Sequence, residues 1–263
     1  MKNKKKYEKT NLIAEIEKFG YKVSVKSLLG TFASVVAGCI AAGYLFKLKP
    51  MGYVIVCIVA VMCTFSIIYQ SYKAKYEQRR FSDVSIYIER MIYYFSSGIT
   101  ILDSLELIIK VFPSGEMHDV LAKAISIIRT ANVSDADKAA LDEIEKAYPV
   151  KRVKTLHKFM LQLQKNGGNA ELGKNILLAD RRNWVDRTME LQAGKRNFKR
   201  DIVIVIAIVT AMCLFAIYVP QFVKQFNVDI SLNPLVQATS VILLCADILI
   251  YTHINKYMSK NWL

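Results

Sequence analysis

The sequence predicts an all-α, polytopic membrane protein with four transmembrane helices, two before and two after a cytoplasmic bundle of about six helices. Three observations carry the prediction. Residues 27–46, 50–72 and 202–223 contain no Asp, Glu, Lys or Arg, and residues 230–255 contain only Asp247. Each run is long enough to cross a bilayer, because about 20 helical residues at roughly 1.5 Å rise cover a hydrocarbon core of about 30 Å. Between the second and third runs, residues 71–201 carry 23 Lys and Arg against 17 Asp and Glu, with apolar residues spaced by three and four. No alternating Val/Ile/Thr-rich stretch is present to suggest a strand. The expected division is a basic cytoplasmic segment (1–26), spans one and two (27–72), a cytoplasmic helical domain (73–201), spans three and four (202–255) and a short cytoplasmic tail (256–263).

Charge sets the expected orientation. Residues 1–26 hold eight lysines, whereas the link between spans one and two holds only Lys47 and Lys49, and the link between spans three and four holds Lys224 against Asp229. Basic residues near membrane ends stay cytoplasmic, so both termini and the central domain are expected inside the cell membrane of a prokaryote. The net charge of +14 follows this topology and suits anionic lipid headgroups; with no recognition motif beside it, no nucleic acid is expected as a partner. The first run is too long for a cleavable signal peptide, and a second span follows it within a few residues.

In the N-terminal segment Leu12, Ile13, Ile16 and Phe19 alternate with Lys and Glu, as in an amphipathic helix that either lies on the membrane or docks on the bundle; the membrane is preferred. In the first span Gly30, Ser34, Gly38 and Ala42 recur every four residues and form a face of small side chains for close helix packing, inside the chain or between chains. Cys39, Cys57, Cys63, Cys213 and Cys245 all lie in apolar runs with no CxxC or Cys/His cluster, and read as small apolar residues. Asp247 is the one intramembrane carboxylate, expected nearer the cytoplasmic boundary than the midplane, with a buried hydrogen bond or an interfacial position favoured over a proton relay.

The central domain reads as successive helices. Phe81, Val84, Ile88, Met91, Ile92 and Phe95 form one apolar face over 81–97, and Gly98 is a C-terminal stop. Thr100 with Asp103 has capping-box spacing ahead of Ile101, Leu102, Leu105, Ile108 and Ile109. Phe112-Pro113-Ser114-Gly115 ends that helix, and Leu121, Ile125 and Ile128 mark the next. Ser134 with Asp137 opens a short acidic helix that ends before Pro149. A helix over about 150–165 stops at Gly167-Gly168, and Asn169 caps a last helix that passes through Trp184 towards the third span.

The stretch FSDVSIYIERMIYYFSSGITILDSLELIIK resembles the first part of the type II secretion F domain: a helix, a Ser-Gly turn and a second helix. The stretch LQLQKNGGNAELGKNILLADRRNWVDRTMELQAGKRNFKR resembles that domain's other signature, a Gly-Gly turn, a long helix with paired arginines and a basic Gly-Lys-Arg entry into a span. Tyr218-Val219-Pro220 and Asn233-Pro234 are similar to the family's proline positions around the outer loop, while the last span lacks the family's glycine. With room for one F domain rather than the two of the GspF/PilC branch, the chain looks most like TadB/TadC, the platform proteins of tight-adherence (Flp-type) type IV pili. The resemblance covers about residues 80–255. It implies a non-enzymatic role, coupling a cytoplasmic secretion ATPase to pilin extraction and pilus assembly, with an identical or paralogous platform subunit as a further partner.

On that footing the turn residues Gly98, Thr100, Asn166, Gly167, Gly168 and Asn169 are the expected partner contacts, because they join long helices. Glu89 and Glu106 are expected to pair with the Arg181-Arg182 helix. Catalytic residues, metal ligands and cofactors are not expected. The chain has no phosphate loop, its three histidines show no metal-ligand spacing, and His118, His157 and His253 read as solvated helix residues. A membrane scaffold or transporter accessory subunit unrelated to pili is the alternative, although a transporter would carry several polar groups at membrane depth.

Overall fold

Helix propensity and apolar spacing leave no room for strands, and none occurs among the described residues. The computed structural model describes residues 16–17, 19–21, 24–130, 135–166, 170–218 and 233–259, without the side chains of residues 170 and 172. Eight helices have described bounds: α1 (Val25–Leu45), α2 (Pro50–Ser96), α3 (Ile101–Ile109), α4 (Glu116–Thr130), α5 (Ala136–Ala147), α6 (Lys151–Asn166), α7 (Ala170–Tyr218) and α8 (Pro234–Met258). Four of them, α1, α2, α7 and α8, are long and apolar enough to cross a membrane. The second span and the first helix of the central domain, expected separately over 50–72 and 81–97, form one 47-residue helix. No Gly or Pro lies between Tyr53 and Ser96 to interrupt its hydrogen-bond ladder.

The described residues divide into two compact units, those up to Tyr76 together with those from Gln192 on, and those within 77–191. These boundaries fall inside α2 and α7. Residues 192–201 belong to the first unit because Lys195, Phe198 and Lys199 turn to aromatic rings of α8.

In the first unit, α1 closes onto α2 through four residues. Lys47 takes a left-handed φ of 50°. Its N–H donates to Tyr44 O (3.1 Å) and that of Leu48 to Gly43 O (2.9 Å), the paired bonds of a Schellman ending. Pro50 then starts α2 at the position where its missing N–H costs nothing. Gly43 is required here, since a Cβ would lie 2.4 Å from the Tyr53 ring. Phe46, Leu48, Val56, Ile217 and Leu244 form a small core, while Leu29, Ile58, Met62, Ile208, Met212, Ile242 and Leu249 stay exposed, as lipid-facing residues should. Of the N-terminal amphipathic residues, Leu12 and Ile13 lie outside the described residues. Ile16 is fully buried, and Phe19 stacks on Tyr69 and Tyr76 of α2 (centroids 5.8 and 5.0 Å). Phe19 is thereby partly covered by two tyrosine rings of α2.

In the second unit six helical segments enclose one core, as expected. Val84, Tyr87, Ile88, Met91 and Ile92 of α2 meet Ile101, Leu105 and Ile108 of α3, Met117, Leu121 and Ile125 of α4, Leu141 and Ile144 of α5, and Val153, Leu156 and Met160 of α6. Leu177, Leu178 and Trp184 of α7 pack against it. Each such buried aliphatic side chain contributes about 1.5–3 kcal/mol. Arg80 Nη2 donates to Ala147 O (2.6 Å) at the end of α5, while its guanidinium lies 4.9 Å over the Tyr148 ring. One cation thereby satisfies an otherwise open terminal carbonyl and covers an aromatic face.

Candidate functional site

The turn between α2 and α3 is the best-defined of the expected contact sites. Gly98 sits at φ 81°, and the N–H groups of Gly98 and Ile99 return to Phe95 O (3.1 Å) and Tyr94 O (3.3 Å). This is a Schellman ending in which Gly98 supplies the left-handed residue. Its surroundings are open, with nothing within 4 Å of the point where a Cβ would stand. Thr100 caps α3 as its spacing predicts: its oxygen accepts from Asp103 N–H (3.2 Å) and its hydroxyl donates to Asp103 Oδ2 (2.7 Å). Beside the turn, Tyr93 is exposed under the Lys174 ammonium (5.8 Å). Asn166 is the exposed last residue of α6; Gly167, Gly168 and Asn169 lie outside the described residues, as does the expected cap Ser134.

The expected ion pairs divide. Glu89 and Arg181 are paired, joining α2 to α7. Glu106 instead accepts from Arg129 Nε (3.2 Å) and Nη2 (2.7 Å), because its side of α3 faces α4 rather than α7. Arg182 is exposed and has no acidic partner among the described residues. Such exposed pairs are worth up to about 1 kcal/mol and orient helices more than they hold them.

His157 overturns the expectation of a solvated histidine. It is 1% exposed, with Tyr87 Oη at 2.8 Å from Nε2 and Glu145 Oε1 at 3.0 Å from Nδ1. Burial drives its pKa down to about 3, so the ring is neutral. The neutral ring then carries its proton on Nδ1, donates to Glu145 and accepts from the Tyr87 hydroxyl, which uses every polar atom of the ring. The same burial raises the pKa of the Tyr87 hydroxyl and keeps it a donor. The sequence did carry a signal for this: residues 153, 156, 157 and 160 share one helix face by the helical period alone, and the other three are apolar core residues. His118 is half-buried, its Nδ1 2.8 Å from Phe112 O, and His253 is exposed.

A second feature missed by sequence reading is Gly173. A Cβ there would lie 1.9 and 2.3 Å from two Phe159 ring atoms, so α7 accepts the α6 phenyl ring only because this residue has no side chain.

Within the membrane-length helices the small face of α1 behaves differently from the in-chain reading. Gly30, Ser34 and Gly38 are exposed, and nothing lies within 4 Å of a methyl placed at either glycine. Only Ala42 packs against the core, because the close helix approach occurs one residue further on, at Gly43. Asp247 lies near the middle of α8 and accepts a hydrogen bond from Thr210 Oγ1 (3.2 Å). Thr210 is about 13 Å along α7 from Asp201, so the pair sits well inside the apolar stretch. At the opposite end of α8, Gln237 grips the α1–α2 turn: its Nε2 donates to Lys47 O (2.9 Å) and its Oε1 accepts from Lys49 N–H (2.8 Å).

No family model, curated protein or solved structure matches this chain.

Proposed function

We propose that this chain is the platform protein of a Tad/Flp-like type IV pilus or a related type II secretion machine, embedded in a prokaryotic cell membrane with both termini and residues 77–191 in the cytoplasm. One observation carries the reading. The two helices that enter and leave the bundle are unbroken, α2 over 47 residues and α7 over 49, and each contains both a membrane-length apolar stretch and residues packed in or against the bundle's core. A force applied to the bundle by a cytoplasmic secretion ATPase then reaches the membrane helices, and through them the pilin, along continuous backbone hydrogen bonds rather than through a linker. The basic residues flanking the apolar stretches support the inward orientation and contact with anionic lipid headgroups.

The exposed Tyr93 and the Ser97-Gly98 turn form the surface offered to the ATPase. The open small-residue face at Gly30, Ser34 and Gly38 is the surface offered to an identical or paralogous platform subunit. A photo-crosslinking amino acid at Ser97 of the full-length chain, in native membranes, tests the assignment. Recovery of a secretion ATPase supports it; capture of a sensor or transporter subunit with no ATPase overturns it in favour of a membrane scaffold or accessory role.

A further inference from the structure

Lys199, Val203 and Ile206 lie on one face of α7, and Ile248, Tyr251 and Asn255 on one face of α8, at intervals of three and four residues. Val203, Ile206, Ile248 and Tyr251 line an open groove of about 400 Å³ that also has Ala60 and Ile67 of α2 in its walls. The groove offers almost no polar surface, because the Asp247 carboxylate is bonded to Thr210 and the Thr64 hydroxyl to Ala60 O (2.7 Å). From Ala60 to Ile67 it follows α2 for about 10 Å, much of the roughly 15 Å depth of one hydrocarbon leaflet.

Lys199 stands one turn beyond Val203, towards the charged part of α7. Its half-buried ammonium lies 4.9 Å over the Tyr251 ring and donates to Asn255 Oδ1 (2.7 Å). No carboxylate pairs with it among the described residues, and the nearby Asp201 is paired with Arg200 (3.2 Å). Asn255 is 8% exposed, and its buried Nδ2 has no acceptor among the described residues. One end of an apolar groove is thus marked by a cation and an amide donor with no anion to meet them. A half-desolvated ammonium calls for such a counter-charge. A soluble anion would use the lysine alone and a neutral lipid the groove alone; an anionic amphiphile uses both.

We propose that this groove holds an anionic phospholipid, one acyl chain along the α2 and α7 walls and its phosphate at Lys199. The site rests on the membrane placement proposed above and on nothing in the ATPase or pilus assignment.

Native mass spectrometry of the full chain, released from nanodiscs of phosphatidylcholine with a minor share of phosphatidylglycerol, tests the proposal. The expected result is a retained phosphatidylglycerol whose binding weakens about fivefold in Lys199→Gln, the worth of one basic residue at an anionic surface, and persists in Lys199→Arg. Val203→Trp, which fills the groove and leaves Lys199 in place, is expected to weaken retention as well. Lys256→Gln removes an exposed lysine that lines no wall of the groove and should leave retention unchanged. Thermal unfolding shows that each variant has folded. Wild-type retention by a folded Lys199→Gln variant overturns the proposal, as does an equal loss in Lys256→Gln, which would mark unspecific charge attraction. Wild-type retention by a folded Val203→Trp variant, or glycerol phosphate binding as tightly as the lipid, overturns the role of the groove. A chain that does not enter the bilayer at all refutes the membrane placement together with the site, whereas one that enters and retains no phosphatidylglycerol refutes the site alone.

Discussion

Removing one hydroxyl from the bundle, Tyr87→Phe, isolates what its buried polar contact contributes. Tyr87 is 0% exposed and donates to His157 Nε2 at 2.8 Å, and His157 is 1% exposed. The substitution keeps the ring and its edge-on packing against the imidazole (centroids 5.9 Å, 88°) but leaves Nε2 an acceptor with no donor in a sealed core. An unsatisfied buried group of this kind costs about 1–3 kcal/mol, which corresponds to opening of the bundle roughly 5- to 150-fold more often. Hydrogen–deuterium exchange on the full chain in nanodiscs reads this directly at the α6 amides of Leu156 and Met160, both at core positions. The double variant Tyr87→Phe, His157→Leu removes acceptor and donor together and should cost less than the two single changes combined. Exchange in Tyr87→Phe within twofold of wild type would refute the reasoning.

The bundle and the membrane-length helices carry three further predictions. His157 titrates at about 3 when folded against about 6.5 when unfolded, so its contribution is fully present above pH 6.5 and falls as pH drops through the window towards 3. The Glu145 carboxylate at 3.0 Å works against this by favouring the imidazolium, but burial prevails; exchange of the bundle, corrected for intrinsic rate, should rise by about fivefold between pH 6.5 and 5.5, and His157→Leu should abolish that rise. Gly173→Ala forces the Phe159 ring out of a position where it would touch the new methyl at 1.9 Å, with an expected loss of about 1–3 kcal/mol, read by the same exchange assay, that Phe159→Leu should largely restore. Gln237→Leu strands Lys47 O and Lys49 N–H of the α1–α2 turn and should lower the thermal unfolding temperature of the chain in detergent, with a cost of about 1–3 kcal/mol; an unchanged midpoint would mean that the turn holds by its own Schellman bonds.

What the sequence determined by itself was whatever depends on composition and local period. Long runs with at most one charged residue marked the four membrane-length helices; the three-and-four spacing of Val84, Ile88, Met91 and Ile92 marked a buried face; and the Gly98 and Thr100 signals marked a turn that forms by local hydrogen bonds alone. Each of these is settled within a few residues, where backbone sterics and nearest-turn contacts dominate. Only the tertiary structure decided which distant groups meet. It turned Glu106 to Arg129 rather than to the α7 arginines, buried His157 between Tyr87 and Glu145, set the Phe159 ring against Gly173, and gave Asp247 of α8 its donor in Thr210 of α7. Those pairings depend on the rotation of each helix about its axis. That rotation is fixed by how several apolar faces close on one core at once, a condition no single stretch of sequence contains.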